Sequence, residues 1–235
     1  MVSKKGASAV ESPSKRRSLS PVGRATYSLR AWLMLISWLP SPDSGNASVE
    51  RLAIAMLGDV LETLQRVRAL DRIAVATPDL RLAEVARKAG AEVLGASVDG
   101  LNPAVEAACA VLAPTADDAA LVVLGDVPGA QAADIEKLLD AGARPGVALA
   151  PSNDGGTSAL LRGPRDIIPA AFGPNSALTH RDLAASAGAA FVELALPSLA
   201  IDIDEREDLE QIASRGSAGT RTHALLGELL PDFAT

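Results

Sequence analysis

Residues 119–129 read AALVVLGDVPG: an unbroken aliphatic run, then Gly-Asp, then a turn held by Pro128 and Gly129. A strand with one wet face alternates apolar and polar side chains. A continuous run instead marks a strand covered on both faces, which is the habit of parallel sheets packed between helices. RIAVAT (72–77), AEVLGA (91–96) and GVALAP (146–151) are further short apolar runs. Between them lie VERLAIAMLGDVLETLQRV (49–67), RLAEVARKAG (81–90), GLNPAVEAACAVLA (100–113) and AADIEKLLDAG (132–142), with apolar residues three and four apart. That spacing predicts amphipathic helices. Farther on, RDLAASAGAAFVEL reads as helix then strand, and LPSLAIDIDEREDLEQIAS as a strand end followed by a helix. Strands alternating with helices predict a three-layer α/β sandwich of Rossmann-like character with a mostly parallel sheet.

Charge divides the chain near Asn46. Residues 1–46 carry Lys4, Lys5, Lys15, Arg16, Arg17, Arg24 and Arg30 against Glu11 and Asp43, a net of +5, whereas the remainder nets −12. Residues 1–46 therefore read as an atypical basic segment, disordered over 1–24, with one apolar run, AWLMLISWLP (31–40), that fits a buried strand. Residues 47–235 read as the folded domain. The overall charge of −7 argues against a nucleic-acid partner. The apolar run is too short to span a bilayer. With one cysteine, Cys109, in a helical apolar pattern, no internal disulfide is expected, and a cytoplasmic setting is. The apolar face of 49–67 serves the core by default and a homodimer as the alternative.

Three motifs fall where an open α/β sheet binds ligands, beyond the carboxyl ends of its strands. Asp126 follows the strongest strand. Asp202 and Asp204 alternate with Ile201 and Ile203, so at a strand end both would project to one side. Carboxylates from two crossover units suit Mg²⁺, which takes oxygen ligands and is completed by substrate phosphates. Against this stands a plainer use of Asp204, as the cap of the helix that begins EREDL, with Glu207 completing a capping box. The third motif is SNDGGTSALL (152–161), which interrupts the aliphatic pattern with glycines and small polar groups. Small residues let backbone amides gather around an anion.

SNDGGTSALL, FGPNSALTH (172–180) and LPSLAIDIDEREDL (196–209), in this order, together resemble the 2-phospho-L-lactate/phosphoenolpyruvate guanylyltransferases of coenzyme F-420 biosynthesis. AIAMLGDVL, GLNPAVEAA and LGDVPG are similar too, from Val49 onward. The resemblance implies a nucleotidyltransferase fold related to GT-A glycosyltransferases. It implies transfer of GMP from GTP to phosphoenolpyruvate, 2-phospho-L-lactate or 3-phosphoglycerate, with release of pyrophosphate. It implies that Thr157, Gly173 and Ser176 bind the acid, that Asn102 lies near the nucleotide, and that Asp126, Asp202 and Asp204 hold Mg²⁺, with Asp126 catalytic.

The chain departs from that family in one place. Members follow their first strand with a Lys- and Arg-bearing loop that wraps the triphosphate. Here the corresponding stretch is YSLRAWLMLISWLPSPDSGNAS (27–48). Two expectations follow: a frame-shifted or misassigned translation of the N-terminal segment, or a protein impaired in GTP binding that keeps only the acid pocket. Another nucleotidyltransferase of the same fold, such as one for molybdenum cofactor, is the remaining alternative.

Overall fold

The computed structural model describes residues 31–36, 47–95, 100–115, 118–142 and 145–230, with only the backbone described for 31–36. The expected disorder of 1–24 and the rest of the apolar run, 37–40, lie outside the described residues. In chain order come β1 (Ala31–Ile36), α1 (Ala47–Leu64), β2 (Leu70–Ala76), α2 (Leu80–Lys88), β3 (Glu92–Leu94), α3 (Leu101–Leu112), β4 (Ala119–Leu124), α4 (Ala132–Ala141) and β5 (Gly146–Pro151). They are followed by β6 (Thr157–Gly163), α5 (Ser176–Ser186), β7 (Ala190–Glu193), a 3-10 turn (Pro197–Leu199), α6 (Arg206–Arg215) and α7 (Thr220–Leu229).

The strands form one sheet in the order β3-β2-β1-β4-β6-β5-β7. β1 pairs in parallel with β2 on one side and β4 on the other, so the sheet begins before the charge break at Asn46. β6 is the strand that sequence reading did not assign. It runs antiparallel to both β4 and β5, as the returning arm of a hairpin. Its residues were legible only as an apolar run because the SNDGG turn before it drew the functional reading.

Side chains alternate across the sheet as the continuous runs require. On β4, Leu121 and Val123 join the cluster under α1, α2 and α4, while Ala120 and Val122 join the cluster under α3 and α5. Those two faces and the sheet are the three expected layers. The apolar stripe of α1 is consumed here: Leu57, Val60, Leu61 and Leu64 are fully buried. At about 2 kcal/mol for each such side chain removed from water, this helix is a principal anchor of the fold. α2 shows how the sequence sets an element's ends. Asp79 caps its start by accepting from the Arg81 amide at 2.8 Å, and Gly90 takes φ +76 beyond its end.

The carboxyl ends of β1 and β4 are neighbours, with Ile36 paired to Leu124. From β1 the chain order runs outward in both directions, so the crevice at this edge is the topological switch point at which open α/β sheets take ligands. Asp126 sits there, two residues past Leu124.

Candidate active site

Asp126 lies in the turn after β4, and its Oδ1 is closed off from solvent with no hydrogen-bond partner among the described residues. Burial, with Asp202 and then Asp204 and Asp154 as like-charged neighbours, pushes its carboxyl up to about 7. A carboxylate that merely capped its own turn would be hydrogen-bonded, and Oδ1 is not. Asp202 is pushed up to about 6 by burial and by Asp154 and Asp204. Asp204 is raised as well, by burial and by Asp154 and Asp208. No Lys or Arg forms an ion pair with any of the three among the described residues.

The segment carrying Asp202 and Asp204 is not a strand end, contrary to the sequence reading. β7 stops at Glu193, a 3-10 turn intervenes, and residues 201–204 are irregular. They spend their hydrogen bonding on neighbouring loops instead: the Ile203 amide donates to the Asp126 carbonyl at 2.9 Å. That one bond brings the two carboxylate-bearing segments together. The cap of α6 also falls one residue later than Asp204. Glu205 is the capping position, and Asp208, not Glu207, reaches back to its amide at 2.9 Å. Asp204 is thereby left without the structural duty the sequence allowed it. It shares with Asp154, Asp202, Glu205 and Asp208 the lining of an acidic cavity of about 290 Å³.

The SNDGG turn closes one side of this cavity. Asn153 donates its amide to the Ala200 carbonyl at 2.8 Å, tying the turn to the aspartate segment, and the Ala177 amide donates to Gly155 at 3.2 Å, tying it to FGPNS. The glycines are there for space and conformation. Gly155 has φ +89, and a Cβ on Gly156 would come within 2.6 Å of Ser152 Oγ. The expected ring of amides awaiting an anion is occupied from within. Gly156 donates to Asp154 Oδ1 at 2.9 Å, the Ser152 hydroxyl donates to the same oxygen, and the first amides of α5 go to the Gly173 and Gly155 carbonyls. These two donors hold the Asp154 carboxyl below the usual carboxylate range.

Thr157, the first residue of β6, and Ser176, the first of α5, meet through their hydroxyls at 3.0 Å. His180, fully buried one turn along α5, places Nδ1 at 3.1 Å from Thr157 Oγ1. Gly173 is exposed, with φ +136. Asn102 fixes this loop from α3: its Nδ2 donates to the Phe172 carbonyl at 3.0 Å, and its Oδ1 accepts the Phe172 amide at 2.7 Å. Both halves of that amide are engaged with backbone. Asn175 adopts φ 56 at the start of α5 and caps nothing with its side chain.

A family model for CofC-like guanylyl transferases matches residues 40–231. The chain belongs to this family. The phosphoenolpyruvate guanylyltransferase of Sphaerobacter thermophilus is 35% identical over 72% of this chain and 82% of its own length. The 3-phospho-D-glycerate guanylyltransferase of Phenylobacterium zucineum is 36% identical over 78% of this chain and 87% of its own. Among solved structures, one described as a nucleotide-diphospho-sugar transferase from Desulfovibrio desulfuricans superposes with a TM-score of 0.70 at 16% identity, over 87% of this chain and 97% of that one. The last likeness is one of fold. Membership of the CofC-like family makes the protein a nucleotidyltransferase.

For a CofC-like protein, two parts of this site escaped the sequence. Asp154 is the one carboxylate that acts on Asp126, Asp202 and Asp204 alike. The signal available was its place in SNDGG, read there for its glycines and small polar groups rather than for its carboxylate. The other is a support behind the acid loop. Arg162, fully buried on β6, donates to Glu106 at 2.7 Å and to the Ile168 carbonyl at 2.8 Å, while Glu106 accepts the Ala170 amide at 2.6 Å. A lone Arg in an apolar run gives no hint of a partner 56 residues away. Cys109 is inert packing, its thiol pushed up by burial and its Sγ accepting from Arg162 at 3.2 Å.

Whether the aspartates fit a divalent cation can be judged from their own chemistry. Among the described residues no three His, Cys, Asp or Glu side chains are gathered closely enough to hold a metal ion by themselves. Yet Asp126 has a buried oxygen with no partner among the described residues, and Asp126, Asp202 and Asp204 are each raised by like-charged neighbours, Asp154 among them. Such a group is stabilised by a divalent ion that takes one or two carboxylates and completes its shell with water and phosphate oxygens. The donor set fits.

Proposed function

We propose that the protein transfers a guanylyl group from GTP to a small phosphorylated acid, phosphoenolpyruvate, 2-phospho-L-lactate or 3-phosphoglycerate, as a step of coenzyme F-420 biosynthesis. The observation that carries this reading is the knitting of three distant motifs at one strand edge: Asn153 to Ala200, Gly155 to Ala177, and Ile203 to Asp126, each through a backbone hydrogen bond. In the reaction a phosphate oxygen of the acid attacks the α-phosphorus of GTP. The bond from that phosphorus to the oxygen bridging to the β-phosphorus breaks, and pyrophosphate leaves with the electron pair. The nucleophile is already ionised, so no side chain has to remove a proton. Catalysis reduces to placing two polyanions in line and offsetting their charge.

In this reading Asp126, with Asp202 and Asp204, holds Mg²⁺, which when bound neutralises charge on the phosphates. Thr157 and Ser176 offer hydroxyls to the acid, and Gly173, in a conformation that favours glycine, lets it approach the backbone. Asn102 shapes the pocket through Phe172 as well as lying near the nucleotide. The relatives cited are named for phosphoenolpyruvate and for 3-phospho-D-glycerate at 35% and 36% identity, so acid choice rests on a few pocket side chains. No described helix is long and apolar enough to cross a membrane. With a single cysteine besides, a cytoplasmic location is in keeping.

A second reading has its own observation. From Ala31 to Glu50 the sequence has no Lys or Arg, although β1 ends at Ile36, paired with Leu124 two residues before Asp126. Pre-organised cations are a large part of phosphoryl-transfer catalysis. Without them the protein would bind the acid and transfer nothing. Incubation with GTP, Mg²⁺ and each acid, following pyrophosphate, decides between the two. Release with at least one acid supports the transferase; stabilisation by an acid with no release supports the binder.

A further inference from the structure

We infer that His180 is a positioning residue for the acid, fixing the direction of hydrogen bonding in the Thr157–Ser176 hydroxyl pair so that one hydroxyl hydrogen is left to donate to the ligand. The inference rests on the reading of Thr157 and Ser176 as acid-binding groups, and it deepens that reading.

The Ala171 amide donates to His180 Nε2 at 3.0 Å, and a backbone N–H can only donate, so Nε2 is the acceptor nitrogen of a neutral ring. The proton is then on Nδ1, which lies 3.1 Å from Thr157 Oγ1 and donates towards it, with the Ser176 carbonyl as a second acceptor of the same N–H. His180 is fully buried, and the Phe172 ring packs edge-on against it at 5.2 Å, so the imidazole is held in place from two sides. Burial and the nearby Arg162 guanidinium hold its pKa down to about 4, in keeping with a neutral ring. Thr157 Oγ1 thus receives one hydrogen from His180. Between Thr157 and Ser176 there are two hydroxyl hydrogens and one mutual bond, at 3.0 Å. Whichever way that bond runs, one O–H remains unspent within the trio. An ionised phosphate or carboxylate, which only accepts, matches that surplus.

The direction matters because hydroxyls are indifferent by themselves. Were His180 to present an acceptor to Thr157, the threonine hydrogen would turn inward and the surplus would vanish. The three-residue set therefore favours fully ionised acceptors over ligands that must donate. The complete burial of His180 rules out a merely solvated surface histidine.

Three variants and one spectroscopic readout test this on the full-length protein. His180→Asn keeps an amide N–H near the Nδ1 position, His180→Gln keeps an acceptor for the Ala171 amide but loses the donor to Thr157, and His180→Phe keeps only shape. Circular dichroism first establishes which variants fold, and calorimetric titration with phosphoenolpyruvate, 3-phosphoglycerate and phospholactate in the presence of Mg²⁺ gives Kd. The expected result is a Kd weakened about tenfold or more in the Gln and Phe variants, with near wild-type binding in Asn and unchanged GTP affinity throughout. Nitrogen-15 spectra of the wild type at neutral pH should report the Nδ1–H tautomer. An Nε2–H tautomer overturns the inference. So does unchanged acid binding in folded Gln or Phe variants, an Asn variant as weak as Phe, or a wild type that binds none of the acids. A wild type that binds acid yet releases no pyrophosphate defeats only the transferase reading, and the Kd series still decides the role of His180.

Discussion

The two flanks of the site are built on opposite principles. Around Asp126, Asp202 and Asp204, like charges crowd together, their pKa values rise, and a buried oxygen lacks a partner. Thr157, Ser176 and His180 pair with one another across β6 and α5, and the neighbouring loop is braced by Asn102, Glu106 and Arg162, although Arg162 Nε and Ser158 Oγ are also buried without a partner among the described residues. The first flank gathers repelling carboxylates, and the second joins two hydroxyls and an imidazole in one hydrogen-bonded set. Under the proposed roles, the contrast teaches that the acid pocket is pre-formed in the fold, whereas the aspartate flank depends on an added cation.

The largest expected effect comes from removing the first flank's centre. Asp126→Asn should lower guanylyl transfer by a hundredfold or more, on the order of losing a principal electrostatic contact at a reacting phosphate, and a chelator should do the same to the wild type. Initial rates of pyrophosphate release measure both.

The same substitution should change stability with a definite sign. Asp126 has a folded pKa of about 7 against an ordinary value of 3.8, so between those limits the folded state holds a proton that the unfolded state has released. Stability therefore falls as pH rises through that window, by on the order of 4 kcal/mol at most for this group. Metal-free wild type should lose ground to metal-free Asp126→Asn between pH 5 and pH 8 in thermal melts, and Mg²⁺ should reverse the trend at pH 8.

The second flank carries the opposite slope. His180 has a folded pKa of about 4 against 6.5, so its contribution is fully present above 6.5 and is lost as pH falls towards 4. A melt series over pH 4–7 should show that slope in the wild type and not in His180→Phe, the difference again on the order of 3 kcal/mol.

The smallest effect sharpens the boundary between the flanks. Asn102→Ala removes two hydrogen bonds to Phe172. It should cost roughly 1–3 kcal/mol of stability. If the clamp is its main duty, KM for the acid rises more than KM for GTP; a rise confined to GTP marks the nucleotide role instead.

The sheet was legible because its strands are continuous aliphatic runs and its helices keep strict spacing. β6 and the segment 201–204 were not. The first hides behind a turn whose chemistry attracted another explanation. The second alternates Ile and Asp like a strand, yet its Ile203 amide pairs with the Asp126 carbonyl and its Asp204 amide with the Asp208 side chain rather than with a ladder. The candidate site residues were read by type and motif. What they do to one another was not, since Asp154 among the aspartates, Arg162 against Glu106 and His180 beside Thr157 are meetings of distant segments. Nor could sequence show that the glycine turn folds its amides onto its own Asp154.

The central claim is that the carboxylates at the end of β4 and in the 201–204 segment act as one cation site. Titration of metal-free protein with Mn²⁺, followed by electron paramagnetic resonance with GTP present, measures it directly. The account predicts a site in the wild type that is lost in Asp126→Asn and in Asp202→Asn, and retained in Asp208→Asn. Undiminished Mn²⁺ binding in Asp126→Asn would contradict it.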